Sequence, residues 1–356
     1  MNENITVYSE REAVRNHADE LAALGKKAMI VTGGSSSRNN GSLDDVISAL
    51  SSHGTEYVIF DGVEENPSVE TVVTAAVAAR ENNAGFIIGV GGGSALDAAK
   101  AIAFLAEKEN TDHKLLYSGN DDSRLPLALV PTTCGTGSEV TPVSVLTVSQ
   151  LGTKKSVSHR LFPDLALIDG KYLKTAPLTL IRNTSLDALT HLIESRLNTK
   201  ADNESRRIVD EGLQMWRSTR EVLEGKPADD EMLQTMMKAS TIAGRAIALT
   251  STTLPHGLSY PLTIRRNIPH GKAVGYFIAG YIAECEKSEQ RYVLDRTGFS
   301  DINELQAWYK ELYGAEKADG GILNDAIELL WLNKPKLKTA PFNADLDALR
   351  RIAEYT

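Results

Sequence analysis

Cysteines, excess positive charge and long apolar runs are scarce in this chain of 356 residues, and each scarcity excludes a class of protein. Two cysteines, Cys134 and Cys285, are too few for a disulfide framework and are typical of a reduced cytosolic protein. The net charge of −9 lacks the basic face that nucleic-acid binding requires. No apolar run reaches the roughly 18 residues of a membrane span, and the N-terminus lacks the basic start of a signal peptide. We therefore expect a cytoplasmic protein that binds neither nucleic acid nor membranes.

The first half of the chain alternates short apolar runs with amphipathic helical patterns. This alternation predicts a parallel sheet covered by helices on both faces. Such a sheet binds ligands beyond the carboxyl ends of its strands. The predicted strands are Ala28–Thr32, Tyr57–Phe60, Phe86–Gly89, Leu127–Val130 and Leu165–Ile168, and the predicted helices are Ser42–Ser52, Ser68–Asn82 and Ser94–Lys108.

From about Pro177 strand-like runs become scarce and long helical patterns take over. The chain also exceeds the size at which one hydrophobic core usually stops growing, so two domains are expected. We predict an α/β domain over residues 1–177 and an all-α domain over residues 178–356. The predicted helical segments are Thr184–Asn198, Asn203–Glu221, Asp230–Ala248 and Gly271–Lys287, with Ser251–Pro255 and Thr263–Pro269 as irregular connections.

An aspartate and three of the seven histidines form a pattern typical of a metal site. Asp187 and His191 are four residues apart, so one face of a helix presents both. His256 and His270 each stand in a Pro-His-Gly segment, where the glycine permits close backbone approach. One carboxylate and three imidazoles suit iron or zinc better than calcium. The alternative is that Asp187 caps or pairs on its helix and that the histidines are ordinary surface or core residues.

Two small-residue loops follow predicted strands and indicate a nucleotide site. In the first, residues 91–94, three glycines precede a helix whose free N–H groups and positive end would face a pyrophosphate. This is not the usual dinucleotide fingerprint, because Ser94 takes the place of the last glycine. The alternative for either loop is a tight turn with no ligand. The second loop, Val130–Glu139, offers the hydroxyl groups of Thr132, Thr133, Thr136 and Ser138.

Taken together, these segments resemble the iron-containing (group III) alcohol dehydrogenases, and they are most similar to the short 1,3-propanediol dehydrogenase-like branch. The likeness runs in order over residues 25–285. It implies an N-terminal Rossmann-like domain with a parallel sheet, an all-α C-terminal domain of the dehydroquinate synthase-like architecture, and an active site in the cleft. The motifs that carry it are Gly91–Lys100, Pro131–Pro142, Asp187–His191 and the two Pro-His-Gly segments.

The resemblance implies a role for each residue that matches a family motif. Asp187, His191, His256 and His270 would bind Fe(II), with zinc or another divalent metal as alternatives. The metal would act as a Lewis acid on a small primary alcohol or aldehyde while hydride passes to or from nicotinamide C4. The resemblance also implies a homodimer or larger homo-oligomer. The implied cofactor-binding residues are Gly92, Gly93, Ser94, Asp97, Thr132, Thr133, Thr136 and Lys154.

Two departures from the family pattern bear on the chemistry. Tyr260 stands where many relatives carry a further histidine, and because a phenol is a weak base at neutral pH we favour water and ribose hydroxyls for the proton relay. NAD-preferring relatives place an acidic residue just after the first Val-Thr, whereas hydroxyl groups and a cation follow Val31-Thr32 here. These groups would accommodate a 2′-phosphate, which predicts NADP(H) over NAD(H). The residues concerned are Gly33, Ser35, Ser36, Ser37 and Arg38.

The sequence indicates fewer residues for substrate binding than for the metal or the cofactor. Ile247 would form an apolar wall. Arg265 and Arg266 are expected in the loop before His270, where they would either hold an anionic aldehyde such as a phosphonate or sulfonate, or remain solvated charges.

Four other functions remain as alternatives. A zinc polyol dehydrogenase of the glycerol type generally lacks the histidine at the position of His191. A lyase similar to dehydroquinate synthase needs a basic cluster around the metal. An oxygenase with two histidines and one carboxylate leaves the nucleotide loops without a purpose. An inactive nucleotide-binding module is the non-enzymatic alternative.

Overall fold

The computed structural model of the protein describes residues 5–149, 153–314 and 318–355. The chain forms two compact units. Unit 1 comprises residues 1–176 and 229–237, and unit 2 comprises residues 177–228 and 238–356. No helix within the described residues is both long enough and apolar enough to cross a membrane.

Unit 1 is built around a six-stranded parallel sheet with the strand order β1-β8-β5-β4-β2-β3. All five sequence-predicted strands are present, each within two residues of its expected ends. The strands are β1 Thr6–Ser9, β2 Lys27–Val31, β3 Glu56–Phe60, β4 Phe86–Gly91, β5 Leu127–Pro131 and β8 Leu165–Ile168, with β6 and β7 described below.

Helices cover both faces of this sheet, because side chains alternate from one face to the other along each strand. Met29 and Val31 of β2 pack in one hydrophobic core with α5 and α6, whereas Ala28 and Ile30 pack in a second core with α1, α2 and α4. The prediction of a sheet with helices on both faces is confirmed. The helices are α1 Ala13–Asn16, α2 Ala18–Ala22, α3 Ser36–Asn39, α4 Ser42–Ser52, α5 Val69–Glu81 and α6 Gly93–Glu107.

The strand order reverses between β2 and β4, so a ligand is expected at the carboxyl ends of these strands. The chain passes from β2 to β3 on one side, and then places β4 on the other side of β2. Parallel α/β sheets bind ligands at such switch points. The residues that follow β2 and β4, including Gly33 and Gly92, therefore lie at the expected binding edge.

Two parts of unit 1 were not predicted from the sequence. The short edge strand β1 has a partly exposed, mixed sequence instead of an apolar run. An antiparallel pair, β6 Val145–Val148 and β7 Thr153–Ser156, follows β5. β6 is a short apolar run of four residues, whereas β7 is polar and mostly exposed and does not resemble a buried strand of the sheet. The short 3-10 helices His113–Tyr117, Ser138–Val140 and Gly170–Leu173 complete the connections.

Unit 2 is helical throughout its described residues, as expected from the long periodic segments. The indole N–H of Trp216 on α8 donates to the carbonyl of Ser185 on α7 at 3.0 Å and ties the two helices together. The helices are α7 Leu178–Arg196, α8 Asn203–Leu223, α9 Asp230–Thr250 (which begins in unit 1), α10 Leu254–Arg266, α11 His270–Gly275, α12 Ile278–Ala283, α13 Lys287–Thr297, α14 Ile302–Tyr313, α15 Gly320–Leu332, α16 Lys334–Leu337 and α17 Leu346–Ala353.

The predicted connections around the second and third histidines are irregular at residues 251–253 and 267–269, as expected, but were wrong at 254–255 and 263–266, which belong to α10. Pro255 lies in the first turn of this helix, where its missing N–H costs no hydrogen bond. Arg265 and Arg266 accordingly lie in the last turn of α10 and not in a loop.

The single predicted helix over residues 271–287 was also wrong, since α11 and α12 are separate. Glycine weakens helices, and Gly275 and Gly280 instead allow close packing against Leu186 and the backbone of Ile352.

Candidate functional site

The glycine turn between β4 and α6 packs tightly against the loop that follows β5. Gly92 is the N-cap of α6 and Gly93 its first residue. A Cβ atom at Gly93 would lie 2.6 Å from Cγ2 of Thr136, and one at Gly92 would lie 3.2 Å from Cγ2 of Thr133. The backbone N–H of Thr132 donates to the carbonyl of Gly91 at 2.9 Å. The structure thus brings the two sequence-predicted loops together at the N-terminus of α6, where free N–H groups favour an anion.

A polar network beneath these loops fixes their spacing. Asp97 on α6 accepts hydrogen bonds from the Ser138 hydroxyl at 2.6 Å and from the Val145 N–H at 2.9 Å. The ammonium group of Lys100 is buried and donates to Ser138 at 2.7 Å and to the carbonyl of Val143 at 2.8 Å. Both oxygens of Asp97 are therefore engaged with the loop, and this residue holds the loop after β5 against α6.

The segment after β2 contains one buried serine, and the residues around it are more exposed. Ser37 is fully buried, accepts a hydrogen bond from Thr32 at 2.8 Å and donates to the carbonyl of Val90 at 3.1 Å. Its hydroxyl therefore joins the ends of β2 and β4. Arg38 is half exposed, with its guanidinium 3.6 Å from the carboxylate of Asp61. Gly33 is half-buried, and Ser35 and Ser36 are exposed beside Arg38.

Lys154 reaches the same region from strand β7. Its ammonium group donates to the side-chain oxygen of Asn66 at 2.6 Å, and the backbone N–H of Asn66 donates to the Ser94 hydroxyl at 3.1 Å. Asn66 was not singled out from the sequence. Its left-handed backbone, with φ of 59°, is one that asparagine tolerates better than most residues. Lys154 and Ser94 are thus linked through one residue, by its side chain and its backbone.

In unit 2, the three predicted histidine ligands lie around one carboxylate oxygen of the fourth predicted ligand, Asp187. Asp187 and His191 lie on α7, while His256 and His270 lie in the first turns of α10 and α11. The Oδ1 atom of Asp187 is 3.8, 3.4 and 3.8 Å from the Nε2 atoms of His191, His256 and His270. The ligand atoms of Asp187, His256 and His270 also lie within 4.8 Å of one another.

These distances fit a single metal ion. Bonds of about 2.1 Å in a tetrahedral arrangement separate ligand atoms by about 3.4 Å. Oδ1 of Asp187 and Nε2 of His256 are buried, and neither has a hydrogen-bond partner among the described residues. Buried polar atoms without partners are costly, and a shared cation would satisfy both. The donor set suits a divalent transition metal.

The glycine that follows His270 permits this convergence. A Cβ atom at Gly271 would collide with the backbone carbonyl of Asn183, so only glycine lets α11 approach α7 this closely. The glycine that follows His256 has a similar role, because a Cβ atom at Gly257 would lie 2.6 Å from Cδ1 of Leu330. Both close approaches were expected from the Pro-His-Gly segments.

A further carboxylate, Glu194, was missed in the sequence reading. Glu194 is fully buried and accepts a hydrogen bond from Nδ1 of His256. Burial lowers the pKa of His256, but Glu194 and Asp187 outweigh it and raise the pKa to about 9. The same negative potential favours a bound metal cation. The available signal was the spacing: Glu194 follows Asp187 by seven residues, two helical turns, on the same face of α7.

Of the remaining candidate residues in unit 2, Tyr260 lies beside the cluster. The Tyr260 ring is nearly parallel to that of His270, with centroids 6.4 Å apart, and burial raises the pKa of its phenol to about 12. Ile247 is partly buried in the last turn of α9. Arg265 pairs with Asp325, and Arg266 pairs with Asp319 at 2.8 Å; both guanidinium groups are about half exposed.

Comparisons with known proteins agree over both units. Residues 4–170 match the family described as iron-containing alcohol dehydrogenase, and residues 181–298 match the C-terminal family of Fe-containing alcohol dehydrogenases. The chain is 32% identical over 274 residues to the NADPH-dependent butanol dehydrogenase of Clostridium saccharobutylicum, covering 75% of this chain and 70% of that protein.

Solved structures are similar over nearly the whole chain. The crystal structure of an iron-containing alcohol dehydrogenase from Thermotoga maritima has a TM-score of 0.89 and 34% identity, covering 98% of this chain and 96% of that one. That of sulfoacetaldehyde reductase from Bifidobacterium kashiwanohense in complex with NAD+ has a TM-score of 0.86 and 26% identity, covering 99% and 98%.

Proposed function

The chain belongs to the iron-containing alcohol dehydrogenase family, and we propose that it is an NADP(H)-preferring, iron-dependent enzyme that interconverts small primary alcohols and aldehydes. The family resemblance noted in the sequence is confirmed, as is the oxidoreductase class. The observation that carries the proposal is the convergence of one carboxylate oxygen and three imidazole nitrogens, at 3.4 to 3.8 Å, within unit 2.

Asp187, His191, His256 and His270 would hold the metal. When bound, Fe(II) supplies Lewis acidity toward the oxygen of an alcohol or aldehyde. The protein orients the ligands: α7 presents Asp187 and His191 side by side, and the contact between Gly271 and Asn183 holds His270 against that helix. Since three ligands are neutral and one is anionic, the site leaves a divalent ion with net positive charge.

The loops of unit 1 would bind the dinucleotide. The N-terminus of α6, at Gly92 and Gly93, offers N–H groups for the pyrophosphate. When bound there, a nicotinamide dinucleotide would supply or accept the hydride. Lys154, held by Asn66 next to Ser94, brings a positive charge to the same edge. Thr132, Thr133 and Thr136 line the loop that packs on the glycine turn.

Proton transfer does not depend on Tyr260 as a base. Burial raises the pKa of this phenol to about 12, so it stays protonated at neutral pH and can form hydrogen bonds but not act as a base. A bound dinucleotide would supply ribose hydroxyls that, with water, could serve the proton relay in place of Tyr260.

An anaerobic assay tests the proposed function directly. Iron-reconstituted protein is expected to oxidise NADPH in the presence of small aldehydes, and metal analysis should find one ion per chain. Protein that binds no metal and turns over no NADPH would instead favour an inactive nucleotide-binding module.

The cofactor preference has its own test in Arg38. Replacing Arg38 by alanine is expected to lower kcat/KM with NADPH by about tenfold, since a charge-assisted hydrogen bond to the 2′-phosphate contributes about 1.5 kcal/mol. Activity with NADH, which lacks that phosphate, should change little. The matched control is Arg80→Ala, an exposed arginine at the end of α5. Equal losses with both cofactors would remove the proposed role of Arg38.

Similarity to a sulfoacetaldehyde reductase raises reduction of an anionic aldehyde as a second candidate. The two arginines that would bind the anion are already paired with Asp325 and Asp319. We therefore expect Arg265→Ala and Arg266→Ala each to change turnover of neutral and anionic aldehydes by the same factor, within about twofold, because exposed ion pairs contribute little. Steady-state kinetics with propanal and with sulfoacetaldehyde measures this. A loss confined to sulfoacetaldehyde would instead establish an anion-binding role.

A further inference from the structure

Glu194 occupies a position from which it controls the third metal ligand. It lies on the face of α7 that carries Asp187 and His191, and its side chain is fully buried. One carboxylate oxygen, Oε2, accepts from Nδ1 of His256. The other, Oε1, accepts from the backbone N–H of His256 at 3.1 Å and from the Thr253 hydroxyl at 3.2 Å.

These contacts also replace the missing cap of α10. Thr253 is the N-cap residue of that helix, but its side chain makes no capping hydrogen bond. The N–H of His256, in the first turn, is instead satisfied by Glu194, whose negative charge suits the positive end of the helix. Lys336, which donates to the carbonyl and hydroxyl of Thr252 at 2.7 and 2.6 Å, adds a positive charge that interacts with Glu194.

We propose that Glu194 is a positioning residue that keeps the proton of His256 on Nδ1 and aims Nε2 at the metal. The inference rests on the proposed function, because it presumes a metal at the Asp187 cluster. A neutral imidazole carries one proton, and a carboxylate acceptor at Nδ1 leaves Nε2 with its lone pair available. Through α7, a single helix therefore supplies two ligands and orients a third.

Glu194→Gln is the informative substitution, because it keeps the shape of the side chain and disrupts the hydrogen-bond pattern. If the amide NH2 faces Nδ1, His256 is driven to carry its proton on Nε2, where it cannot bind metal. If the amide is reversed, its NH2 group meets the backbone N–H of His256, and two donors face each other. Either orientation disturbs the third ligand.

Metal affinity gives the first readout. Competition with a chromogenic chelator for Zn(II) is expected to show about 10- to 100-fold weaker binding by Glu194→Gln, as for other residues that hydrogen-bond a metal-bound histidine. The matched control is Glu289→Gln, which removes a carboxylate that pairs with Arg196 at the end of the same helix, through contacts of 2.9 and 3.1 Å. The control should bind Zn(II) like the wild type. Equal affinities of the wild type and Glu194→Gln would overturn the inference.

Proton NMR gives a second readout, the chemical shift of the His256 ring proton, which a loss of folding stability alone would not change. In the zinc-loaded wild type, the Nδ1 proton of His256 should resonate far downfield and exchange slowly, because it is buried and bonded to a carboxylate. Glu194→Gln should lose this resonance or shift it upfield, whereas Glu289→Gln should retain it. An unchanged resonance in Glu194→Gln would overturn the inference about Glu194 but would not contradict the proposed metal site. A wild-type protein that binds no Zn(II) or Fe(II) would overturn the proposed function itself.

Discussion

Replacing Asp187 by asparagine is expected to lower kcat/KM for aldehyde reduction by about 1,000-fold or more, because metal-ion catalysis supplies several kcal/mol of charge stabilisation. Asp187 is the only anionic residue of the ligand set, and its Oδ1 atom lies within 3.8 Å of all three imidazole nitrogens. Asparagine keeps the size of the side chain, so the packing of α7 against α11 is preserved. The amide carries no charge and would turn either a weak acceptor or a donor toward the nitrogens.

Metal content and turnover should fall together in this variant. Plasma emission analysis of the purified protein is expected to show loss of iron, and circular dichroism to show an unchanged helical spectrum. Asp347→Asn is a suitable control, since Asp347 is exposed and pairs only weakly with Arg350 at 3.1 Å. Full activity in Asp187→Asn would show that the cluster does not bind the catalytic metal.

The features of this site that could be predicted from the sequence are local ones. A four-residue spacing within a helix fixes the relation of Asp187 to His191, whatever surrounds that helix. A strand, three glycines and a helix in succession fix the direction in which the N–H groups at Gly92 and Gly93 point. The parallel sheet follows from alternating apolar runs and helices, and its strands were found within two residues of their expected ends.

The features that were missed depend on contacts between distant segments. Glu194 is 62 residues from His256 in the chain, and no spacing rule predicts that their side chains meet. The helical conformation of residues 263–266 is another case. Pro261 within α10 makes a helix unfavourable locally, so packing of this segment against the rest of unit 2 must outweigh that cost. Candidate metal ligands are therefore easier to predict from the sequence than the residues that orient them.

The ion pairs of the two arginines before His270 could not be predicted from the sequence either. Arg265 and Arg266, in the segment before a candidate ligand, invite an anion-binding role. The structure shows that two aspartates, Asp325 and Asp319, already contact them. These partners lie 60 and 53 residues further along the chain.

Gly93→Ala should have the second large effect, a rise of about 100-fold in the KM for NADPH. A Cβ atom at this position would lie 2.6 Å from Cγ2 and 3.0 Å from Oγ1 of Thr136, so the loop after β5 must shift. If a pyrophosphate binds at the first turn of α6, as proposed, the methyl group would also hinder its approach. Loss of two hydrogen bonds to a charged group amounts to about 3 kcal/mol, or roughly 100-fold in affinity. Steady-state kinetics and fluorescence titration with NADPH would measure it.

A second substitution that relieves the contact with Thr136 can separate two causes of weaker NADPH binding: displacement of the loop after β5 and exclusion of the pyrophosphate. Thr136→Ser removes the Cγ2 atom and keeps the hydroxyl, so the double variant Gly93→Ala/Thr136→Ser accommodates the new methyl group with less displacement of the loop. If the methyl group excludes the pyrophosphate, the double variant should bind NADPH as poorly as Gly93→Ala does. If wild-type affinity returned, Gly93 would serve only the packing of the two loops and would not contact the cofactor. Gly85→Ala controls for the substitution itself, because a Cβ atom there meets nothing closer than a carbonyl at 3.7 Å.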